Sequence, residues 1–230
     1  MVVISCHTAV FREMKGHHTM KILILGATGA TGRLFTAAAQ QAGHEVTALA
    51  RDPSRLAGWP DLRAAAGDVR DARSLAAAAD KADALVSCLG VGNTRNPNDL
   101  ILDTTRAVIS AAAQTGLQRI VFQSALGVGA SYPKTPVLMR LGYRLAPAVF
   151  RDKAASEDLL TATDLNWTLV YPGVLTNGPR TGKVTATGLD ALTRLPGLPR
   201  ISRADVAEFL LDTTTTGTWT RQIAVITTKN

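Results

Sequence analysis

Short apolar runs alternate along the chain with longer segments whose apolar positions recur every three or four residues. The runs are KILIL (21–25), EVTALA (45–50), LRAAA (62–66), DALVSCL (83–89), RIVFQS (119–124), NWTLVYP (166–172) and QIAVITT (222–228). Several are continuously apolar instead of alternating, the pattern of strands covered on both faces in a parallel sheet. Helices are predicted between them over 31–43, 71–82, 99–116, 151–163 and 202–213. Gly43 and Gly116 stop two of these, and Ser202 with Asp205 three residues on opens the last. Strand–helix alternation of this kind implies βαβ crossovers. The expected fold is a single α/β domain over 20–230, a Rossmann-type doubly wound parallel sheet. The looser stretches, about 125–150 and 172–200, are assigned to a small substrate-facing region, the second as a flap.

The first run leads straight into GATGATG (26–32). Glycines at 26, 29 and 32, behind a strand and opening a helix, form a phosphate-binding turn. Gly26 allows the sharp turn, Gly29 lets the backbone approach a pyrophosphate, and Gly32 permits close helix–strand contact. N–H groups at the helix start, aided by the helix dipole, then face the anion, and the hydroxyls of Thr28 and Thr31 can add to them. The nucleoside-triphosphate loop is excluded, because Arg33-Leu34 follows the last glycine where that motif needs Lys-Ser/Thr.

The end of the second run selects the dinucleotide. ALARDPSRL (48–56) supplies Arg51, Ser54 and Arg55, two guanidiniums and a hydroxyl suited to a 2′-phosphate, so NADP(H) is expected over NAD(H). Asp52 is expected to cap the turn before Pro53. Asp68 with Val69, after the third run, reads as an acceptor for the adenine amino group or as a helix cap, a role Asp71 can also fill. Leu89, Gly90 and Val91 let the chain pass close to the nicotinamide-side ribose.

Composition narrows the partners. The chain has 230 residues, 46% hydrophobic and 19% charged, enough for a packed core. A net charge of +7 favours anionic ligands, yet the basic residues are scattered, which argues against nucleic acid. No apolar run is long enough to span a bilayer. Two cysteines, Cys6 and Cys88, make no disulfide framework and suit a reducing cytoplasm. Residues 1–19 read as an extension ahead of the fold. His17-His18 lacks a third ligand, so no metal site is expected. His44 reads as an exposed loop residue and Cys88 as packing. VLMRLGYRLAP (137–147) reads as a lid, an interface helix or a membrane-surface patch.

The Tyr-x-x-x-Lys pair of ordinary short-chain dehydrogenases is missing. Pro136, Pro147 and Leu175 stand four residues after Tyr132, Tyr143 and Tyr171. Ser124, at the end of the fifth run, lies where open α/β sheets keep their sites and can orient a carboxamide or relay a proton; a strand-ending structural serine is the alternative.

From Lys21 to about Leu211 the chain resembles the atypical short-chain dehydrogenases with an NmrA-like NAD(P)-binding fold, close to the biliverdin-IXβ reductase (flavin reductase) family. The likeness rests on GATGATG, ARDPSRL, GDV (67–69), LVSCLG (85–90), RAVISAAAQTGLQRIVFQSA (106–125), LVYPGVLTN (169–177) and RISRADVAEFLL (200–211). It implies NADPH-dependent hydride transfer to a small planar acceptor, a flavin, quinone or tetrapyrrole, by a monomer or weak homodimer. It also implies that Gly26, Thr28, Gly29 and Thr31 hold the pyrophosphate and Arg51, Ser54 and Arg55 the 2′-phosphate. Asp68 and Val69 would face adenine. Gly90, Val91 and the Pro172-Gly173-Val174 segment would lie by the nicotinamide, and Ser124 near nicotinamide and substrate. Val174 and Lys153 replace histidines of the family; Lys153 can bind a ribose hydroxyl or be a solvated helix residue. Two competing expectations are a non-catalytic NmrA-like redox sensor and, less suited to so short a chain, a sugar-nucleotide epimerase or isoflavone-type reductase.

Overall fold

The computed structural model describes residues 18–92, 96–193 and 197–229. Cys6 and His17 lie outside the described residues. Strands β1 (Lys21–Leu25), β2 (Glu45–Ala50), β3 (Leu62–Ala66), β4 (Ala84–Ser87), β5 (Arg119–Gln123), β6 (Asn166–Pro172), β7 (Val174–Thr176), β8 (Val184–Gly188), β9 (Arg200–Ser202) and β10 (Gln222–Thr228) alternate with helices. These are α1 (Ala30–Gln41), α2 (Ala72–Ala78), α3 (Leu100–Thr115), α4 (Val137–Tyr143), α5 (Pro147–Thr161) and α6 (Arg203–Thr216). Among the described residues, eight strands form one sheet in the order β3-β2-β1-β4-β5-β6-β10-β8. Chain order reverses between β1 and β4, the switch point at which such sheets bind ligands.

The apolar runs explain the layering. In β1, Leu23 and Leu25 face one core with Leu85, Ile120, Phe122, Leu169 and Tyr171, beneath α2, α3 and α5. Ile22 and Ile24 face the other with Val46, Val86, Val121 and Val170, beneath α1 and α6. Both faces of the central strands are therefore dry, as continuous apolarity requires.

The doubly wound parallel sheet stands as expected, with one antiparallel strand at its edge, where β8 pairs with β10. Two expectations are corrected. The third run is an edge strand whose Arg63, Ala64 and Ala66 are exposed, since nothing pairs beyond it in the sheet. The stretch from Pro172 to Pro199 carries β7 and β8, and β7 pairs with β9. Runs this short and this rich in glycine and proline leave no periodicity to read. His44 is also corrected: it is buried, and its Nδ1 accepts the N–H of Met20 at 3.2 Å, just ahead of β1.

Helix ends follow the expected chemistry. Asp71 caps α2 through the N–H groups of Arg73 and Ser74. Ser202 caps α6 by accepting from Asp205 N–H at 3.0 Å. Gly43 and Gly116 follow their helices at φ +82° and +76°. The start of α3 is capped from a distance: buried Asp152, on α5, accepts from Ile101 N–H at 3.1 Å and Leu102 N–H at 2.9 Å. At the amino ends of the central strands, buried Arg119 donates to Asn166 O, Thr168 Oγ1 and Thr213 O, tying β5 and β6 to the end of α6.

The β1–α1 turn is the tightest joint. Gly26 has φ +86°, and a Cβ there would stand 2.9 Å from the Cys88 carbonyl group. A Cβ on Gly32 would stand 2.1 Å from the Gly26 carbonyl oxygen, whereas one on Gly43 would meet nothing within 4 Å. Gly32→Ala is therefore expected to cost about 3 kcal/mol or more through backbone displacement. Gly43→Ala should cost only about 1 kcal/mol, for its left-handed backbone. Urea denaturation midpoints of the two variants check the ranking.

Candidate functional site

The strands deliver their carboxyl ends to a cleft of about 490 Å³. Gly26, Thr28 and Gly29 form its floor, Ala50, Arg51, Asp52 and Arg55 one wall, Asp68, Val69 and Arg70 the next, and Cys88, Leu89, Gly90 and Leu100 the far side. Nine residues anticipated from sequence are brought together here: Gly26, Thr28, Gly29, Arg51, Arg55, Asp68, Val69, Leu89 and Gly90.

The floor carries positive potential by construction. Gly29 precedes α1 without a side-chain cap, and the first turn of that helix carries no acidic residue. Its leading N–H groups have no partner within the helix, and the dipole adds positive potential. Arg33 folds back, its Nε donating to Thr28 O at 3.1 Å, and so borders the same turn.

The walls are cationic. Arg51 and Arg55 are exposed beyond β2. Asp52, between them, is occupied elsewhere: it accepts from Ser54 N–H at 3.1 Å and Ser54 Oγ at 2.6 Å, capping the 3-10 turn over Pro53–Leu56 as expected. Ser54 thus spends its hydroxyl proton on Asp52 and does not line the cleft. Arg70, which sequence reading passed over, makes a third guanidinium. It pairs with Asp68 at 3.1 Å, and its hydrogen bonds hold the Asp68 carboxyl below its ordinary range. Asp71, not Asp68, caps α2.

Other anticipated residues lie outside the cleft lining. Thr31 and Gly32 are buried in the first turn of α1. Val91 sits one residue beyond the lining. Gly173 N–H donates to Ile226 O at 3.0 Å and Val174 N–H to Pro199 O at 2.8 Å, while Pro172 O accepts from Leu126 N–H. The backbone of this segment is therefore committed to packing. Cys88 contributes to the lining, and burial pushes its thiol up to about 12, so it stays protonated.

Ser124 is buried at the end of β5 with its N–H bonded to Val170 O at 2.8 Å. Its hydroxyl donates to Glu157 Oε1, and the Tyr171 hydroxyl donates to Glu157 Oε2 at 2.5 Å. Burial raises the Glu157 carboxyl to about 7 against the opposing pull of these bonds and of Lys153. Burial lowers the pKa of Lys153, while Glu157 and Asp152 oppose that shift. Tyr171 is pushed upward by burial and by Glu157. Glu157 and Tyr171 were missed from sequence. The available signal was the i, i+4 spacing of Lys153 and Glu157, which puts both on one helix face.

Beside this cluster α4 exposes Val137, Leu138 and Leu141, followed by exposed Leu145. Tyr143 turns inward, stacking on Phe150 at 4.1 Å and donating to Leu126 O. Among the described residues, no helix is long and apolar enough to cross a membrane, and no group of acidic, His or Cys side chains is placed to hold a metal.

Fold and cleft together define a Rossmann-type domain with a cleft at the switch point of its sheet. The chain belongs to the NAD(P)H-binding family, whose pattern matches residues 26–216. It is 41% identical over 108 residues to the uncharacterized protein Rv2047c of Mycobacterium tuberculosis, covering 46% of this chain and only 12% of that relative's length. It is 29% identical over 204 residues to YhfK of Bacillus subtilis, named an uncharacterized sugar epimerase, covering 84% and 86% of the two chains. Among solved structures, ChuY of Escherichia coli O157:H7, described as an anaerobillin reductase, superposes with a TM-score of 0.75 at 24% identity, covering 91% of this chain and 98% of ChuY.

Raising a buried carboxyl's pKa ties stability to pH. An unfolded glutamate ionises near 4.5, the folded Glu157 near 7. The stabilisation its neutral form gives is complete below the lower value and is lost as pH climbs through the higher. Glu157→Gln cannot ionise. Its melting temperature relative to wild type should rise between pH 4.5 and 7 and level off above, as paired thermal melts across that range would reveal.

Proposed function

We propose that the protein is an NADPH-dependent reductase of small planar acceptors, a flavin, a quinone or a biliverdin-like tetrapyrrole, acting in the cytoplasm as a monomer or weak homodimer. The observation that carries this reading is the set of three guanidiniums, Arg51, Arg55 and Arg70, around a cleft floored by the open end of α1. One carboxylate among them is paired with Arg70 and the other turned to its own backbone. That leaves positive potential where a ribose 2′-phosphate would sit, and no free acid to receive a ribose 2′-hydroxyl. The description of ChuY as an anaerobillin reductase supports the reductase reading. The name given to YhfK keeps epimerase chemistry in view.

The dinucleotide would supply the hydride. The chain's residues do the rest. Gly26, Thr28 and Gly29 would hold the pyrophosphate, with Thr31 and Gly32 shaping the helix start behind them. Arg51, Arg55 and Arg70 would clamp the 2′-phosphate, with Ser54 fixing the loop. Asp68 and Val69 would meet adenine, and Leu89, Gly90, Val91 and the Pro172–Val174 segment would border the nicotinamide. Ser124 and Lys153 would stand at the reacting end. A planar acceptor stacked there needs chiefly proximity and exclusion of water.

Two measurements test this. In fluorescence titrations NADPH should bind more tightly than NADH. Arg51→Ala or Arg55→Ala should each weaken NADPH about tenfold or more while leaving NADH nearly unchanged. Equal or tighter binding of NADH removes the cofactor assignment. Acceptor-dependent oxidation of NADPH with FMN, FAD, biliverdin or a simple quinone tests the activity. Tight NADPH binding without turnover would instead identify a redox sensor.

A further inference from the structure

We propose that Glu157 is the proton reservoir of the reacting end, delivering its proton to the acceptor through the hydroxyl of Ser124, with Tyr171 positioning the carboxyl. The inference rests on the reductase reading above and adds a group that the sequence pattern did not reveal.

Three geometric facts carry it. First, β4 and β5 are parallel neighbours with Ser87 opposite Phe122. Both strands end at that level, β4 leading into Leu89, which lines the cleft, and β5 into Ser124. Second, the Ser124 hydroxyl bonds directly to Glu157 Oε1, so the carboxyl is one hydroxyl removed from the site. Third, Glu157 is buried, and its second oxygen is held by Tyr171. A buried carboxyl serving structure alone is most simply a glutamine or an apolar residue, because burying a group that can ionise opposes folding.

The surroundings suit a group that changes protonation state. Lys153 and Asp158 on α5 act on Glu157 with opposite signs, and burial outweighs both, holding the carboxyl near neutrality. From β6 it meets Tyr171 and from the end of β5 Ser124, while the backbone at Gly129 closes it off from a third side. The neighbouring helix α3 packs on α5 through Thr105, which bonds Ser156 at 2.7 Å.

The proton balance closes. When Glu157 is protonated it donates to Ser124 Oγ, and the serine hydroxyl proton turns toward the cleft. As the acceptor takes up hydride, the Ser124 O–H bond breaks and a new O–H or N–H bond forms on the acceptor. At the same time the Glu157 O–H bond breaks and the serine O–H is remade. The carboxylate that remains is held by the Tyr171 hydroxyl and by the charge of Lys153. After product leaves, water in the cleft returns a proton along the same path.

The test joins the unliganded protein to turnover. In ¹³C-glutamate-labelled protein without dinucleotide, a carboxyl resonance absent from Glu157→Gln should titrate near pH 7, and Tyr171→Phe, which removes one stabilising donor, should move that midpoint up. In turnover, kcat of the wild type should fall as pH rises through the same midpoint. Glu157→Gln should lose this limb and about a hundredfold in rate at pH 6, with NADPH affinity unchanged. Should that variant fold poorly, Tyr171→Phe carries the comparison, and its limb should follow its own resonance upward. A resonance titrating near the ordinary glutamate value, or a pH limb that survives in Glu157→Gln or stays put in Tyr171→Phe, overturns the inference while the reductase reading stands. A wild type with no turnover on any acceptor overturns both.

Discussion

The whole arrangement depends on a contact between two glycines. The α-carbon of Gly32 rests against the carbonyl of Gly26, and Gly26 in turn abuts the backbone at Cys88. Through these two contacts the start of α1, the end of β1 and the end of β4 are fixed relative to one another with no side chain between them. That seam lies at the point where strand order reverses. The floor and the far wall of the cleft are consequently joined backbone to backbone, and the loops after β2 and β3 are added to them from one side.

The framework was legible because its physics is local. Continuous apolar runs read as strands covered on both faces, and GATGATG after one of them reads as a phosphate turn. Seven strands and five helices follow from such signals. β7, β8 and β9 escaped because none carries an apolar run longer than two residues, and their pairing with one another or with β10 is settled by distant partners. The burial of His44 was hidden for the same reason: its partner is the backbone ahead of β1, more than twenty residues away.

The site divides along a similar line. The residues that gather at the cleft come from turns directly after strands, where position in sequence nearly dictates position in space. Glu157 and Tyr171 come from the middle of α5 and from β6, and meet Ser124 only once the sheet is assembled. Their polar ends sit in segments that otherwise read as ordinary amphipathic helix and buried strand. Arg70 was overlooked for a simpler reason: it stands four residues beyond the third run, whereas Arg51 follows the second directly, and Asp68 and Asp71 on either side of it draw attention away. The exposed cationic wall and the buried carboxyl network are thus of opposite character. One is soft, solvated and sensitive to salt, the other dry and held by hydrogen bonds.

The long-range cap supplied by Asp152 links these two characters. α5 carries Lys153 and Glu157, and the residue beside them fastens the opening turn of α3, whose Leu100 lines the cleft. The rim of the cleft at Leu100 is therefore tied through α3 to the helix that carries Lys153 and Glu157, so a displacement at one is felt at the other.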